Sequence, residues 1–561
     1  MRVLMLCDGG GPIGVGHVIR SLALAEASVA AGHDVVLAGH FEGSFVQGQL
    51  AAAPVEVIQT ATPMTDADLQ AVLDLVRPVG PDLLHVDSYE APARLFGNDV
   101  VRGSNEILGA VILSNMEDGS YGRRRADVVI DPTFGAELST RPDDGSTWLL
   151  RGSRYAPVRQ RVLDARRPAT GQVGAVVDAE AGVGKDPEVG AAARSVLVVM
   201  GGTDPVGLAP AVVGLLARTG LSLDVTVIAV GEIAERARAA ALGSRLSLNV
   251  VAPVDDLPAL MARQDLVVSA AGTSVWELCC LGVPMAVVWA VDNQREGYDR
   301  LVGAGAALGL GGPELGGSEM GGSEMGGDVP GPVEDAVGRL RTALTDPRVR
   351  ADLTLAGRRI VDGLGAWRVV RTWEQAVDLG AVPEVVDPGP AAPGPAARPA
   401  TLQDARFLWQ WRNDPSTRAG SRNSAPVPWP EHLAWLESSL TREDRLLLVL
   451  EDETGPAGTV RWDLERDLEQ RAQEGEHEWE VSITVAPERR GHSLSRPILR
   501  AAEVALSEVS RSRATRLTAY LAMVHIDNQA SLRLFGTSRY VPDAPPDQRG
   551  FMRFRKVARV A

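Results

Sequence analysis

The stretch MRVLMLCDGGGPIGVGHVIRSLALA (residues 1–25) decides how the first part of this chain folds. Its apolar run from Val3 to Cys7 predicts a buried parallel strand, and the apolar spacing after residue 17 predicts a helix. Gly14, Gly16 and His17 lie between these two elements. Free backbone N–H groups and the positive end of the helix dipole meet at such a turn, so the stretch predicts an anion site beside a histidine.

His17 is therefore a candidate general base. A neutral imidazole, which titrates at about pH 6.5 in unfolded peptides, can accept a proton from water near neutral pH. A diphosphate leaving group needs little acid catalysis where backbone amides stabilise it. The alternative is that His17 only caps the helix or contacts a phosphate group.

Composition limits the classes of function. With 561 residues the chain is too long for a single core, and its net charge of −16 without a basic tract argues against a nucleic-acid partner. Cys7, Cys279 and Cys280 give no disulfide framework and are typical of small buried side chains. The sequence has neither a signal-peptide pattern nor an apolar run long enough to span a membrane. We therefore expect a cytoplasmic protein with small-molecule partners and no membrane partner.

Alternating strand and helix patterns predict three domains. Residues 1–166 predict an N-terminal Rossmann-like domain, with strands at 3–7, 34–38, 55–58, 83–86, 109–113, 128–130 and 148–150. Residues 191–380 repeat this pattern, with strands from 195 and at 225–229, 248–251, 266–269 and 285–288. The segment 167–190 predicts a flexible insertion, and the proline-rich segment 381–397 predicts a linker. Residues 398–561, in which tryptophan is frequent, predict a third, α+β domain.

Two glycine-rich turns after strands of the second half predict a nucleotide site. One follows the strand SVLVVM, and the other opens a helix whose N–H groups can bind a diphosphate. A glutamate one turn into that helix can accept hydrogen bonds from ribose hydroxyls. A single turn of this kind often only connects elements, but two on one rim favour a nucleotide. The candidate residues are Gly201, Gly202, Thr203, Gly272, Thr273, Ser274, Glu277 and Asn293.

Four motifs occur in order within residues 1–380: IGVGHVIRSLALA, DLLHVDSY, MGGTDP and SAAGTSVWELCCLGVPMAVVWAVDNQ. Together they resemble the UDP-sugar hydrolases of pseudaminic acid biosynthesis, which are related to the MurG-type GT-B glycosyltransferases. The resemblance implies two Rossmann-like domains, with UDP bound mainly by the second. It also implies hydrolysis of a UDP-2,4-diacetamido-2,4,6-trideoxy sugar at its anomeric carbon without a metal. The GTGH motif of the family matches Gly14–His17, and its histidine is proposed to activate the attacking water.

The departures from this family lie on the sugar side of the expected cleft. The family's VDHY motif reads Val86-Asp-Ser-Tyr89 here, and an acidic stretch after the next strand reads Asn115-Met-Glu-Asp118. Because the carboxyl ends of parallel strands form one rim, we expect both segments near His17. Asp87 and Tyr89 are either sugar contacts or a turn carboxylate and a buried aromatic residue.

The third domain contains two further motifs. VAPERRGHSLS (485–495) links a strand to a helix, and VHIDNQASLRLF (524–535) follows the next strand. Both resemble the GNAT acetyltransferases, and the opening of the domain is similar to the amino-sugar N-acetyltransferase of the same pathway. The resemblance implies that acetyl-CoA is bound by Val485, Arg490, Gly491, His492, Ser493, Leu494, Ser495, Asn528 and Ser531.

This domain also departs from its family. Ser493 and Ser495 stand where glycine or alanine is usual, so we expect pyrophosphate binding if the backbone avoids positive φ there. Arg539 stands where glycine is usual, and Phe535 where many relatives have a tyrosine acid.

Glu480, on the strand before the loop, is the candidate base that deprotonates an ammonium acceptor; the alternative is a solvent-facing strand residue. Trp411, Arg412, Asn413 and His432 are candidate acceptor contacts, although the tryptophan fits a core position equally well.

The predicted fold class is α/β, with two Rossmann-like domains in the GT-B arrangement and a C-terminal α+β GNAT domain. The predicted function is bifunctional: hydrolysis of the UDP-sugar and acetyl-CoA-dependent N-acetylation of its UDP-4-amino precursor. In the pathway that the resemblances imply, these two steps are consecutive, so their fusion is coherent. Acetyl-CoA is the expected co-substrate, and no metal is expected. The alternatives are a GT-B glycosyltransferase that uses a UDP-sugar, or a nucleotide-sugar-binding protein with an inactive acetyltransferase domain.

Overall fold

The computed structural model divides the chain into two compact units, Met1–Val377 and Asp378–Ala561. It describes residues 1–64, 69–92, 95, 111–166, 192–201, 204, 206–316, 332–380, 394–465 and 476–558. The predicted insertion at 167–190, Gly202, Thr203 and most of the predicted linker at 381–397 lie outside these residues.

Buried apolar runs form the centre of the first sheet, as the sequence predicts, while the edge strand Glu56–Gln59 is largely exposed. Its seven strands are all parallel, in the order β3-β2-β1-β4-β5-β6-β7. The chain order reverses between β1 and β4, which is where doubly wound sheets bind ligands. The strands are β1 (Arg2–Cys7), β2 (Asp34–Gly39), β3 (Glu56–Gln59), β4 (Leu83–Asp87), β5 (Ile112–Met116), β6 (Val128–Asp131) and β7 (Trp148–Arg151).

One predicted strand is displaced. The sequence predicts a strand at 109–113, of which residues 109 and 110 lie outside the described residues; β5 begins at Ile112 and continues through Ser114 and Asn115. Both polar residues are fully buried: Ser114 binds the indole of Trp373, and Asn115 donates to the carbonyl of Gly122. The strand continues past its last apolar residue, because the Ser114 hydroxyl and the Asn115 amide nitrogen have hydrogen-bond partners inside the fold.

The second sheet repeats the arrangement. Its six parallel strands have the order β10-β9-β8-β11-β12-β13, so its own reversal lies between β8 and β11. The strands are β8 (Ser195–Val199), β9 (Leu223–Ile228), β10 (Leu246–Val251), β11 (Leu266–Ala270), β12 (Met285–Val288) and β13 (Leu308–Gly311). Strand β13 is not predicted from the sequence, because two of its four residues are glycine.

Helices cover both faces of these sheets. The first half contributes α1 (Gly16–Ala30), α2 (Ser44–Ala51), α3 (Leu69–Val79) and α4 (Gln160–Asp164). The second half contributes α5 (Ala209–Arg218), α6 (Gly231–Ala241), α7 (Leu257–Ala262), α8 (Ser274–Leu281), α9 (Arg295–Gly303), α10 (Pro332–Thr345), α11 (Pro347–Ile360) and α12 (Gly365–Leu379). Helix α12 returns to the first half, where Trp373 reaches Ser114 and Glu374 binds His33. The two Rossmann-like halves of the predicted fold class are therefore confirmed.

The second unit is an α+β domain built on a seven-stranded sheet, β14-β15-β16-β17-β18-β20-β19. Its strands are β14 (Ala396–Pro399), β15 (Arg445–Asp452), β16 (Gly455–Leu464), β17 (Glu476–Val485), β18 (Arg516–His525), β19 (Val541–Ala544) and β20 (Phe551–Val557). Its helices are α13 (Ala405–Asn413), α14 (Pro415–Ala419), α15 (Trp429–Leu440), α16 (Ser495–Ser512) and α17 (Gln529–Thr537).

The central strands of this sheet diverge. Strands β17 and β18 are parallel and pair as far as Val481 and Ala522, although each continues beyond that point. Helix α16 packs on one face of the sheet through Ile498, Leu499 and Ala502, opposite the face that α13 and α15 cover.

Candidate active sites

The two reversal points of the first unit face one cleft of about 390 Å³. Loops that follow β1, β4 and β5 line one wall, and loops that follow β8, β11 and β12 line the other. The predicted residues on its walls are Gly14, Gly16, His17, Tyr89, Gly201, Gly272, Thr273, Ser274, Glu277 and Asn293. The predicted residues of both halves therefore line one cleft, apart from Asp87, which lies behind His17, and the two that lie outside the described residues.

The two walls meet where the predicted anion loops face each other. A methyl group on Gly16 would lie 3.5 Å from Cγ2 of Thr273, which is van der Waals contact. On the periphery of the cleft, Arg161 donates to the carbonyl of Asp255 at 2.7 Å, and Arg300 donates to that of Phe134 at 3.1 Å. His17 thus lies next to the start of α8 in the opposite half.

His17 is the second residue of α1, and its imidazole is bonded to a buried carboxylate. Nδ1 of His17 lies 2.7 Å from Oδ1 of Asp87, the last residue of β4. The His17 side chain is 12% exposed and that of Asp87 is 1% exposed. One edge of the ring therefore faces the protein interior, while the residue lines the cleft.

Asp87 is held in its ionised form. Burial by itself raises the pKa of this carboxyl group, but the Arg20 guanidinium and His17 beside it lower the pKa well below its usual range. Arg20 donates to both oxygens, at 2.7 and 2.6 Å, and the Ser21 hydroxyl donates at 3.3 Å. Both oxygens of this buried carboxylate therefore already accept hydrogen bonds from protein groups, and neither is available to a sugar hydroxyl. Asp87 supports His17 from below rather than lining the cleft.

The ionised carboxylate fixes the tautomer of His17. Asp87 can only accept a hydrogen bond, so a distance of 2.7 Å requires a proton on Nδ1. Nη2 of Arg20 also lies 3.1 Å from Nδ1 of His17 and could donate to it only if Nδ1 carried a lone pair. That lone pair would face the Asp87 oxygen, which is nearer and negatively charged, so this arrangement is unfavourable. Nε2 consequently carries the lone pair when the ring is neutral.

Arg20 links this pair to a second carboxylate, and the sequence gives little sign of it. Its Nη1 donates to both oxygens of Asp118, at 2.8 and 2.7 Å, and the hydroxyl of Tyr89 donates to the same carboxylate. Burial and the neighbouring Asp118 raise the pKa of Tyr89, so its phenol stays protonated. The Tyr89 ring stands edge-on to that of His17, with 4.7 Å between centroids. Tyr89 thus packs against the imidazole and lines the cleft as well.

The opposite wall is formed by the start of α8. Thr273 is the N-cap residue of α8, but its hydroxyl accepts no hydrogen bond from the N–H groups of the first turn. The Thr273 side chain therefore leaves those N–H groups available to a ligand. Glu277 follows one turn later and is half-buried. Burial raises its pKa to about 7, although Arg159 and Arg161 across the cleft oppose this change. This wall offers backbone donors and one carboxyl group to a ligand.

The predicted acetyl-CoA loop of the second unit follows β17. Val485 ends β17, and Ser495 begins α16. Gly491 has a φ of 82°, and Ser493 has a φ of 58°. The sequence predicts pyrophosphate binding on the condition that the backbone avoids positive φ at the two serines. Ser493 does not meet this condition, because it adopts the left-handed conformation that glycine adopts easily. The loop keeps the shape of a glycine loop at a conformational cost.

Side chains of this loop have other partners. Arg490 donates to Asp414 at 2.7 Å and to the hydroxyl of Thr417 at 2.6 Å, and His492 contacts the backbone carbonyls of Arg489 and Arg490. A pyrophosphate at this loop would therefore meet backbone N–H groups, near Leu494 and the start of α16.

The second predicted motif caps a helix beside the diverging strands. The side chain of Asn528 accepts a hydrogen bond from the N–H of Ser531 at 3.1 Å and so caps α17. Phe535 is buried against Tyr540, whose hydroxyl donates to Glu503 at 2.8 Å. Tyr540 is thus committed to a structural hydrogen bond.

Glu480 lies one residue before the point where β17 and β18 stop pairing. It is on the sheet face opposite α16, since its neighbours Trp479 and Val481 belong to the core that α16 covers. Its Oε1 accepts a hydrogen bond from Arg422 at 2.8 Å. Of the predicted acceptor contacts, Trp411 is 4% exposed within the core beneath α15 and His432 is 3% exposed.

Two general properties complete the description. Within the described ranges, no three or more His, Cys, Asp or Glu side chains are grouped so that they could hold a metal ion. None of the helices in the described part of the chain is both long and apolar enough to cross a bilayer.

Comparison with known proteins identifies the C-terminal domain. Residues 406–537 match the acetyltransferase (GNAT) family, so the predicted GNAT domain is confirmed. Over 378 residues the chain is 25% identical to the spore coat polysaccharide biosynthesis protein SpsG of Bacillus subtilis, covering 66% of this chain and 96% of that protein. An uncharacterized protein of Methanocaldococcus jannaschii is 21% identical over 306 residues, covering 53% of this chain and 58% of that protein.

Among solved structures, MurG of Acinetobacter baumannii is similar, with 16% sequence identity and a TM-score of 0.41. The match covers 67% of this chain and all of that one.

Proposed function

We propose that this chain is a bifunctional enzyme of nucleotide-sugar metabolism. The first unit hydrolyses a UDP-2,4-diacetamido-2,4,6-trideoxyhexose to the free sugar and UDP. The second unit transfers an acetyl group from acetyl-CoA to the amine of the UDP-4-amino precursor, on the route to a nonulosonic acid such as pseudaminic acid. One observation carries the proposal: a histidine oriented by a buried, ionised aspartate lies on the cleft wall beside the opposing helix start.

His17 is the base in this proposal. Because Asp87 holds the proton on Nδ1, the Nε2 lone pair is available to water. Asp87 also stabilises the imidazolium that forms when Nε2 takes that proton, and Arg20 keeps Asp87 ionised throughout. Asp87 and Arg20 are therefore positioning residues.

The bond changes are those of a hydrolysis at carbon. The water oxygen bonds to the anomeric carbon, its proton passes to Nε2 of His17, and the bond from that carbon to the UDP oxygen breaks with its electron pair on UDP. The N–H groups of Gly272, Thr273 and Ser274, at the start of α8, would stabilise the negative charge that develops on the diphosphate. Glu277 would accept hydrogen bonds from the ribose hydroxyls.

The second unit offers an acyl-transfer site of the GNAT type. The backbone of residues 491–495 would hold the pyrophosphate of acetyl-CoA, which supplies the acetyl thioester. Glu480 would accept a proton from the ammonium group of the acceptor, so that the free amine can bond to the thioester carbonyl carbon. The carbon–sulfur bond then breaks, and the proton that the nitrogen loses on forming the amide passes to the departing thiolate of CoA. Its place beside the diverging strands supports this role.

The hydrolase assignment is tested by incubating the full chain with the UDP-diacetamido sugar in the absence of any acceptor. We expect UDP release in the wild type and a loss of at least about 100-fold in His17→Ala. The matched control is His33→Gln, because His33 precedes β2 at the other end of the sheet and does not line the cleft. UDP release only after addition of an acceptor alcohol would instead assign a glycosyltransferase.

The acetyltransferase assignment is tested by transfer from labelled acetyl-CoA to the UDP-4-amino sugar. We expect transfer in the wild type and a strong loss of kcat in Glu480→Gln. Absence of transfer at saturating substrate would leave the domain as an inactive fusion partner.

A further inference from the structure

One loop of the second unit is held by three arginines through three consecutive carbonyl groups. Arg549 donates to the carbonyl of Arg422 at 2.6 Å, Arg412 to that of Asn423 at 2.8 Å, and Arg418 to that of Ser424 at 3.1 Å. These donors come from a distant loop, from α13 and from α14 respectively. Residues 414–424, which comprise α14 and the turn that follows it and which we call the arginine loop, are therefore held at this end by guanidinium groups rather than by carboxylates, one of them from the loop itself.

The arginine loop contacts one residue in each of three segments of the proposed acyl-transfer site. At its beginning, Asp414 and Thr417 bind Arg490 of the predicted acetyl-CoA loop. Gly420 packs against Asn528, since a methyl group there would lie 3.3 Å from the Asn528 amide nitrogen. At its far end, Arg422 binds Glu480. A substrate amine that reaches Glu480 must therefore lie against this loop.

The loop and the neighbouring end of α13 also carry two guanidinium groups without a carboxylate partner among the described residues. In the part of the chain that the structure describes, Arg412 and Arg418 hydrogen-bond only to backbone carbonyls, and Nη1 of Arg412 is buried with no partner. Burial, together with the nearby Arg418 and Arg461, lowers the pKa of Arg412. Arg461 is paired with Asp463, but Arg412 and Arg418 lie near each other without a carboxylate partner among the described residues. Neighbouring guanidinium groups of this kind are typical of a site for phosphoryl groups.

Arg422 and Glu480 form an ion pair that a substrate can replace. The Arg422 side chain is 52% exposed and that of Glu480 is 25% exposed, and ion pairs between exposed side chains contribute little to stability. An ammonium group can therefore take the place of the guanidinium at Glu480 at little cost. The released Arg422 side chain then stays within reach of an anionic group on the same ligand.

We propose that the arginine loop is the acceptor subsite, and that it selects amines that carry a phosphoryl group. The ammonium group binds Glu480, while the phosphoryl oxygens bind Arg412, Arg418 and the released Arg422. This inference rests on the proposed acetyl transfer and adds the chemistry that selects the acceptor. The phosphoryl group belongs either to a nucleoside diphosphate sugar or to a simple sugar phosphate, and both share the charge that the loop recognises.

The kinetic test uses the full chain and measures release of the CoA thiol with three acceptors. These are the UDP-4-amino sugar, the 1-phosphate of the same amino sugar and the free amino sugar. We expect the phosphorylated amines to exceed the free amino sugar in kcat/KM by at least about tenfold. Arg422→Gln should lower kcat/KM for the phosphorylated amines by about 10- to 100-fold, mainly through KM, because a charge-assisted contact is lost. The free amino sugar should be affected less than about threefold, and Arg422→Lys should restore most of the activity.

The control variant is Arg442→Gln, because Arg442 is also exposed but binds only Asp444 among the described residues. Equal use of phosphorylated and free amines, or an equal effect of Arg422→Gln on all three acceptors, would overturn the proposal. A higher kcat/KM for the 1-phosphate than for the UDP-linked amine would support the phosphoryl subsite. The same result would contradict the proposal that the acceptor is a UDP-linked amine.

Binding without acetyl-CoA separates this proposal from the proposed acetyl transfer. Titration calorimetry with the amino sugar 1-phosphate should show an affinity at least about tenfold above that of the free amino sugar, and Arg422→Gln should remove the difference. If the two ligands bind equally to the wild type, the acceptor subsite is rejected even where transfer occurs. If the difference is present but no amine is acetylated, the subsite is retained and the acetyl transfer is rejected.

Discussion

Replacing Glu277 by glutamine removes an ionisable group whose folded environment disfavours its charge. Burial raises the pKa of Glu277 from an ordinary 4.5 to about 7. The folded protein thus binds this proton more tightly than the unfolded chain does. The tighter binding of this proton stabilises the folded state relative to the unfolded chain. This contribution to the free energy of unfolding is fully present below about pH 4.5 and is lost as the pH rises through about 7.

The magnitude follows from the two pKa values. At about 1.4 kcal/mol per pH unit, the interval from 4.5 to about 7 corresponds to roughly 3 kcal/mol of stability lost above neutral pH. Because Glu277 is partly reached by solvent, we expect Glu277→Gln to stabilise the first unit by about 1–3 kcal/mol at pH 8. Near pH 5 we expect little difference, since glutamine resembles the protonated acid in shape.

Denaturant unfolding of wild type and variant at pH 5 and pH 8 measures this effect. The transition of the first unit is the one that added UDP shifts, because a ligand of the folded state raises its stability. In parallel, UDP should bind the variant about tenfold more weakly at pH 8, since the ribose loses a charged acceptor. A variant that is less stable than wild type at pH 8, or that differs from it equally at both pH values, would refute this reasoning.

Three further substitutions test the site and the loop. Asp87→Asn should lower kcat for UDP release by about 10²–10⁴ with little change in KM, because the amide no longer fixes the tautomer of His17; an equal rise in KM would speak against a positioning role. Gly16→Ala should be tolerated, whereas Gly16→Val should lower kcat/KM by about tenfold because its extra methyl groups force the two halves apart at Thr273; equal kinetics of the two variants would exclude that contact. Ser493→Gly should stabilise the second unit by about 1 kcal/mol by relieving the left-handed serine, as judged by thermal unfolding, and a lower melting temperature would contradict the strain.

The strands and their loops were predictable because they depend on local patterns. Buried apolar runs such as Val3–Cys7 place β1, and parallel strands bring their carboxyl ends to one rim, so His17 and Tyr89 were expected together. The glycine turn at Gly272 was expected on the facing rim for the same reason. Each of these inferences needs only composition, period and the rules of parallel sheets.

Contacts between distant residues were not predictable in this way. Arg20 lies within an amphipathic helix, where an arginine usually faces solvent, yet it is buried between carboxylates 67 and 98 residues away. Its role depends on the exact approach of α1 to the ends of β4 and β5. The burial of Asp87 depends on the same approach, and the sequence therefore left its role open. Conversely, the positive φ of Ser493 shows that a loop can keep its shape when its glycine is replaced.

The most direct measurement is hydrolysis of the UDP-diacetamido sugar by the wild-type chain in ¹⁸O-labelled water without an acceptor, followed by mass spectrometry of the UDP. If a water activated by His17 attacks the anomeric carbon, the label enters the sugar and the released UDP carries no ¹⁸O. The His17→Ala variant should then release almost no UDP. UDP labelled with ¹⁸O would place the attack at phosphorus, and undiminished release by His17→Ala would remove the histidine from the mechanism; either result would contradict the proposed hydrolysis.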